Sequence, residues 1–85
     1  MTDLLPKEKL YWRARRGMLE LDIMLQTFID HEYDNMNEQT QQAFIELLTF
    51  SDQDLLELLM AREQAESANI ANVIQKIRHA TLSHA

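Results

Sequence analysis

Few residues of this chain could do chemistry, and most of those lack a partner at the right spacing. His31-Glu32 starts like the helix of a zinc protease, but no second His stands one turn further on. His79 and His84 complete no ligand pattern with it, so no metal site is expected. Asp52-Gln53-Asp54 has neither the Gly nor the closing Glu of a calcium loop, and helix capping accounts for it. Ser51 and His31 are hydrolase residue types with nothing to link them, and no catalysis by the chain itself is expected. There is no Cys, which removes disulfides, thiolate metal sites and a thiol nucleophile together. Gly17 is the only Gly, so a glycine-rich loop for FAD, NAD or ATP cannot form, and no cofactor is expected on this chain. One constellation remains, Tyr11-Trp12-Arg13-Ala14-Arg15-Arg16-Gly17-Met18-Leu19-Glu20-Leu21-Asp22. It holds the only Trp and three of the Arg residues, the two residue types most enriched in binding hot spots. Its chemistry is recognition of another protein; its bland alternative is a helix end, a Gly cap and the next helix start.

Helices must position that constellation. With 46% apolar residues the chain can form a core, and with one Gly and one Pro it lacks the turn residues of an all-β fold. The first helix is expected from about Pro6 to Arg16, with Gly17 as its left-handed cap and Arg13, Arg15 and Arg16 in the last turn. The second is expected from Met18 to Asp34, carrying Leu21, Met24, Leu25 and Phe28 at i, i+3, i+4 and i+7. Asn37 caps a third helix, Glu38 to Phe50, with Phe44, Leu47 and Leu48 inward. Ser51 opens a fourth, with Leu55, Leu58, Leu59 and Met60, and Glu63 to Ser67 reads as a polar connection. Ser67 caps a fifth, Ala68 to Ala80, striped by Ile70, Val73, Ile74 and Ile77. The expected fold is all-α, a compact bundle of five short helices in one domain over residues 1–85, frayed at about 1–5 and 81–85. Arg16 and Glu20 are expected at the junction of the first two helices with their polar ends at the surface.

Charge narrows the partner. Residues 1–20 hold five bases against three acids, whereas residues 21–66 hold eleven acids against Arg62 alone. The net charge of −6 opposes phosphate neutralisation, so nucleic acid is not expected as a partner. No apolar run approaches the roughly 20 residues of a membrane span, and the start has no signal-peptide core, so a cytoplasmic protein is expected.

Arg15-Arg16-Gly17-Met18-Leu19-Glu20-Leu21-Asp22 resembles the R-G-x-x-E signature of the succinate dehydrogenase assembly factor family, the SdhE/YgfY-type FAD assembly factors. Trp12, four residues before the signature Arg, also fits the bacterial pattern. Phe28 to Tyr33 resembles the family's F-x-x-H/x-E-Y stretch, and Leu47-Leu48 followed by Asp52-Gln53-Asp54-Leu55 resembles its L-L-x-x-x-D-x-D-L segment. Leu58 departs from it, since many members carry Trp there. The resemblance covers about residues 8–61 and implies a five-helix assembly factor, not an enzyme. Such a factor binds the flavoprotein subunit of succinate dehydrogenase, and in bacteria also of fumarate reductase. It promotes covalent attachment of the partner's FAD to a histidine of that subunit. The resemblance assigns partner binding to Arg16, Gly17 and Glu20, flanked by Trp12 and Arg15. The alternative from another class is a small all-α regulator, DNA-binding or antitoxin-like, which salt-dependent DNA binding would reveal. A monomer is expected, with a homodimer through the Arg corner as the alternative.

Overall fold

The computed structural model describes residues 5–60, 65 and 67–84. Five α-helices follow one another: α1 (Lys7–Ala14), α2 (Leu19–His31), α3 (Glu38–Leu47), α4 (Asp52–Leu59) and α5 (Ala68–Ser83), with a 3₁₀ turn over Tyr33–Asn35. The all-α bundle read from the sequence is the observed architecture. No described helix is long and apolar enough to cross a membrane.

Local chemistry starts the last three helices where the sequence places them. The side chains of Asn37, Ser51 and Ser67 accept from the backbone N–H of Thr40, Asp54 and Ile70, respectively. Each satisfies one of the donors that a helix start leaves without an internal partner.

α2 is the centre of the bundle, with α5 laid against it and α3, and α1 on its other flank. The expected stripes are the core: Leu21, Met24, Leu25 and Phe28 meet Phe44, Leu47, Leu55, Leu59, Val73 and Ile77. Phe28, Phe44 and Tyr33 pack together, with centroids 4.8 Å apart for Phe28–Phe44, 5.7 Å for Phe44–Tyr33 and 6.4 Å, edge-on, for Phe28–Tyr33. The stretch Phe28 to Tyr33 therefore contributes two rings of an aromatic trio in the core, completed by Phe44 of α3. Leu58, where the sequence departs from the resemblance, is buried in the core.

Several boundaries differ from the sequence expectation. α1 ends at Ala14, since Arg15 is already extended (φ −79°, ψ 102°). Only Arg13 occupies its last turn. Gly17 does adopt φ +76°, but in the linker and not as the helix cap. α2 gives way to the 3₁₀ turn after His31, and α3 stops at Leu47. At the other end α5 runs through Ser83, so residues 81–83, expected to fray, are helical. Thr81 Oγ1 donates to the Ile77 carbonyl, and His84 stacks on His31 at 4.0 Å beside Glu32. Those contacts hold the last turn. The first four residues of the expected frayed start, and all but Ala65 and Ser67 of the expected 63–67 connection, lie outside the described residues.

The Tyr33 hydroxyl is buried with no hydrogen-bond partner among the described residues. Burial, followed by the charge of Asp34, pushes this phenol above its ordinary range. An unsatisfied buried donor opposes folding by about 1–3 kcal/mol. Tyr33→Phe is therefore expected to leave stability unchanged or raise it by about 1 kcal/mol in urea unfolding. A loss of more than about 1 kcal/mol would show that residues outside those described take up the hydroxyl.

Candidate functional site: the corner between the first two helices

The linker between α1 and α2, residues 15–18, makes a sharp corner, and two interactions of Arg16 shape it. Its backbone N–H donates to Asp22 Oδ1 at 2.8 Å, tying the linker to the first turn of α2. Its guanidinium turns across the molecule to the junction of α3 and α4. There Nη1 donates to the Phe50 carbonyl at 2.9 Å and to Asp52 Oδ1 at 3.2 Å, and Nη2 donates to the Leu48 carbonyl. Nε donates to the Arg13 carbonyl at 3.0 Å, closing the end of α1. The Leu48 carbonyl lies at the negative end of α3, where a cation is favoured. A planar guanidinium with five donors can serve these acceptors together, which an ammonium cannot match.

The expectation of an Arg16 head group at the surface is corrected by this geometry: its side chain is 14% exposed. The carbonyls at the end of α3 need donors, and the guanidinium supplies them.

Glu20 follows the expectation. It is exposed in the first turn of α2 and makes no hydrogen bond or ion pair with the described residues. Gly17 is exposed, and a Cβ placed on it would meet nothing within 4 Å. Its glycine identity answers to the left-handed backbone, which costs other residues about 1–2 kcal/mol. The space beside it is open to a partner.

Trp12 on α1 and Arg15 in the linker are both exposed. Together with Glu8, Tyr11 and Gln26 they line a solvent-open groove of about 400 Å³. Trp12 is 76% exposed, and Leu19 and Ile23 on α2 are 75% and 51% exposed. Leu19, Ile23, Gln26 and Asp30 fall at i, i+4, i+7 and i+11, one edge of α2. Gln26 shares the groove with Trp12, and Asp30 accepts from the Tyr11 hydroxyl, so this edge runs alongside α1. Trp12, Leu19 and Ile23 are thus apolar side chains left exposed on two helices that run side by side. The structure brings Trp12, Arg15, Gly17 and Glu20 to the surface of one corner and turns Arg16 inward beneath it.

Sequence reading missed Leu19 and Ile23, although an apolar pair at i, i+4 lying off the buried stripe is a legible signal. It also missed Asp22 and Asp52 as partners of Arg16. Asp52 looked like a helix-capping acid, and nothing local links it to a residue 36 positions earlier.

Comparison with known proteins bears on this corner. Residues 8–81 match the family described as the flavinator of succinate dehydrogenase. The chain belongs to this family. The FAD assembly factor SdhE of Legionella pneumophila (strain Lens) is 42% identical over 73 residues, covering 86% of this chain and 91% of that protein. The FAD assembly factor SdhE of Idiomarina loihiensis is 38% identical over 69 residues, 81% of this chain and 77% of that protein. That of Pseudomonas aeruginosa is 36% identical over 77 residues, 91% of this chain and 92% of that protein. In this flavinator-family chain, two stretches of the resemblance noted in the sequence meet in space. Arg16 of the first donates to Leu48 and Asp52 of the last.

Two predictions follow from the corner's chemistry. Arg16→Ala removes charged hydrogen bonds and strands carbonyls at the end of α3, so a loss of about 2–3 kcal/mol is expected in urea unfolding. Glu20→Ala, at an exposed position, is expected to cost less than about 1 kcal/mol. An Arg16→Ala protein within about 0.5 kcal/mol of wild type would mean that the guanidinium contacts do not contribute.

The second concerns Tyr11, whose pKa is pushed up from 10.0 to about 12 by the hydrogen bond to Asp30, then by burial and the charges of Asp30 and Asp34. The folded value lies above the unfolded one. The contact's contribution is therefore fully present below pH 10 and is lost as pH rises toward 12. Ultraviolet titration of the phenol is expected to show an Asp30→Asn midpoint shifted down toward 10. An unchanged midpoint would rule out Asp30 as the cause.

Proposed function

We propose that this chain is an assembly factor that binds the flavoprotein subunit of succinate dehydrogenase and promotes covalent attachment of FAD to it. The observation carrying this reading is the exposed corner of Trp12, Gly17, Leu19 and Glu20 on a chain that matches the flavinator family over residues 8–81. Glu20 is a carboxylate held ready without an internal partner among the described residues, and Trp12 is a large aromatic left in water. Trp is among the residue types most enriched in binding hot spots, and a carboxylate can accept a charge-assisted hydrogen bond from a partner. Arg15 stands at the rim, where a charge influences encounter more than affinity.

The FAD belongs to the partner in this reading. The first turn of α2 beside Gly17 carries Glu20 and Asp22, whose negative charge opposes a pyrophosphate at that helix start. Gly17 has open space around it and no second Gly to form a cradle. The chain is then a chaperone for a cofactor site and not a catalyst. It favours the partner conformation in which histidine and flavin meet, by binding that conformation more tightly than others. A preference of about 2.7 kcal/mol shifts such an equilibrium roughly a hundredfold. It acts as a monomer in the cytoplasm, where the flavoprotein subunit would be met before membrane assembly.

The DNA-binding alternative draws no support from the basic segment. Lys7 pairs with Asp34 at 2.7 Å, and the Arg16 guanidinium is spent on carbonyls, so two of the five bases in residues 1–20 are engaged.

The test is covalent flavin formed on the succinate dehydrogenase flavoprotein as a function of the concentration of this chain. Glu20→Ala and Trp12→Ala are expected to stay folded. Each should raise the half-saturating concentration roughly ten- to a hundredfold, the loss of a contact worth about 1.5–3 kcal/mol. Wild-type behaviour of both folded variants would remove the corner from the function. Absence of any stimulation by the wild-type chain would remove the function itself.

A further inference from the structure

Arg16 is the residue that the family signature makes most conspicuous, yet its head group is not presented to a partner. Its donors go to the carbonyls of Arg13, Leu48 and Phe50 and to Asp52, and its side chain is 14% exposed. Its backbone N–H, at the same time, holds Asp22 of α2. One residue thus joins the end of α1, the linker, the first turn of α2 and the junction of α3 with α4. Glu20 lies within that first turn, two residues before Asp22 and four after Arg16.

We propose that Arg16 is a positioning residue: it fixes the first turn of α2 so that Glu20 meets the partner in one arrangement, and it does not itself contact the partner. The proposal rests on the flavoprotein-binding reading above and changes what the signature means. Arg16 and Gly17 shape the corner, and Glu20 makes the contact. The physical argument is preorganisation. A first helical turn has few internal hydrogen bonds of its own, because its leading N–H groups have no acceptor one turn back. Without the fork on Leu48, Phe50 and Asp52, the linker loses its ties to the junction of α3 and α4 and keeps the Arg16 N–H to Asp22 and the Asp22 N–H to the Met18 carbonyl. Each exposed side chain must then be ordered at the moment of binding, which weakens affinity with no contact removed. The L-L-x-x-x-D segment acquires a role by the same argument: Leu48, Phe50 and Asp52 are the anchor for the corner.

A positioning residue and a contact residue differ in how they combine with Glu20. If Arg16 acts through Glu20, its replacement matters little once Glu20 is gone; two separate contacts add. The test uses Arg16→Lys, which keeps the charge and the aliphatic stem but loses the fork, in the full chain. In the free protein, amide exchange at position 16 and at Asp22 is expected to rise at least fivefold, with the Ile77 amide in α5 unchanged. In binding to the flavoprotein subunit, Arg16→Lys is expected to raise Kd about three- to tenfold in the wild-type background and less than twofold in the Glu20→Ala background.

An equal fold-change in both backgrounds would overturn the proposal in favour of direct contact. Unchanged exchange at the corner, or an equal rise at Ile77, would overturn it by showing no local clamp. Asp52→Ala, which removes one anchor of the fork, guards against a poorly folded Lys variant. It is expected to raise Kd two- to threefold with the same loss of effect when Glu20 is absent, and an additive effect would count against the proposal. A wild-type chain that fails to bind the flavoprotein would overturn the function proposed above, and with it any action of Arg16 on that contact. The exchange experiment needs no partner and separates that outcome from failure of the clamp itself.

Discussion

The bundle has one corner that its helices alone would not build, and the guanidinium of Arg16 builds it. The short linker between α1 and α2 has little core of its own. The end of α3, meanwhile, exposes carbonyls whose last intrahelical donors have run out. A side chain with five donors and a fixed charge answers both shortages at once. Its contacts reach residues 32 to 36 positions away, so the corner depends on the packed bundle and cannot form in an isolated helix pair.

This dependence divides the labour between two sides of the molecule. Inward, Leu21, Phe28, Phe44, Val73 and Ile77 set the relation of α2, α3 and α5. Outward, the α1–α2 edge leaves Trp12, Leu19 and Ile23 in solvent, three of the four large apolar side chains most exposed among the described residues. The fourth, Leu82, is near the end of α5. Scattered exposure is ordinary for a soluble domain. Here three of the four lie on the neighbouring helices α1 and α2, near Gly17 and a Glu20 carboxylate without an ion pair among the described residues, which supports the partner surface proposed above. A small protein can then assist assembly without an active site, because rigidity at the contact lowers the cost of binding one conformation of its partner.

The three stretches of resemblance also separate by physical role. Phe28 and Tyr33 serve the aromatic trio with Phe44, and their spacing satisfies packing. Leu47, Leu48 and Leu55 serve the core, while the backbone between them and Asp52 serves Arg16. Gly17 and Glu20 serve the surface. A motif read along the chain gives all of these equal standing. Side-chain burial and hydrogen bonding rank them.

Much of this protein was determined by the sequence alone. Apolar residues recurring at helical spacing, with Asn37, Ser51 and Ser67 at the helix starts, decided five helices and their buried faces. Those are effects within a turn or two of chain. The single Gly decided a left-handed turn at position 17 and excluded a glycine-rich nucleotide loop, both consequences of Cβ sterics. The tertiary structure decided where α1 stops, because Asp22 and the end of α3 hold Arg16 outside the helix. It decided that residues 81–83 stay helical, because His84 finds His31 at the end of α2 and Glu32 just beyond it. It decided, above all, that the conspicuous Arg16 faces inward while the inconspicuous Leu19 faces out. Periodicity shows which side of a helix is apolar, but it cannot show which distant carbonyls lack a donor, and that shortage chose the direction of Arg16.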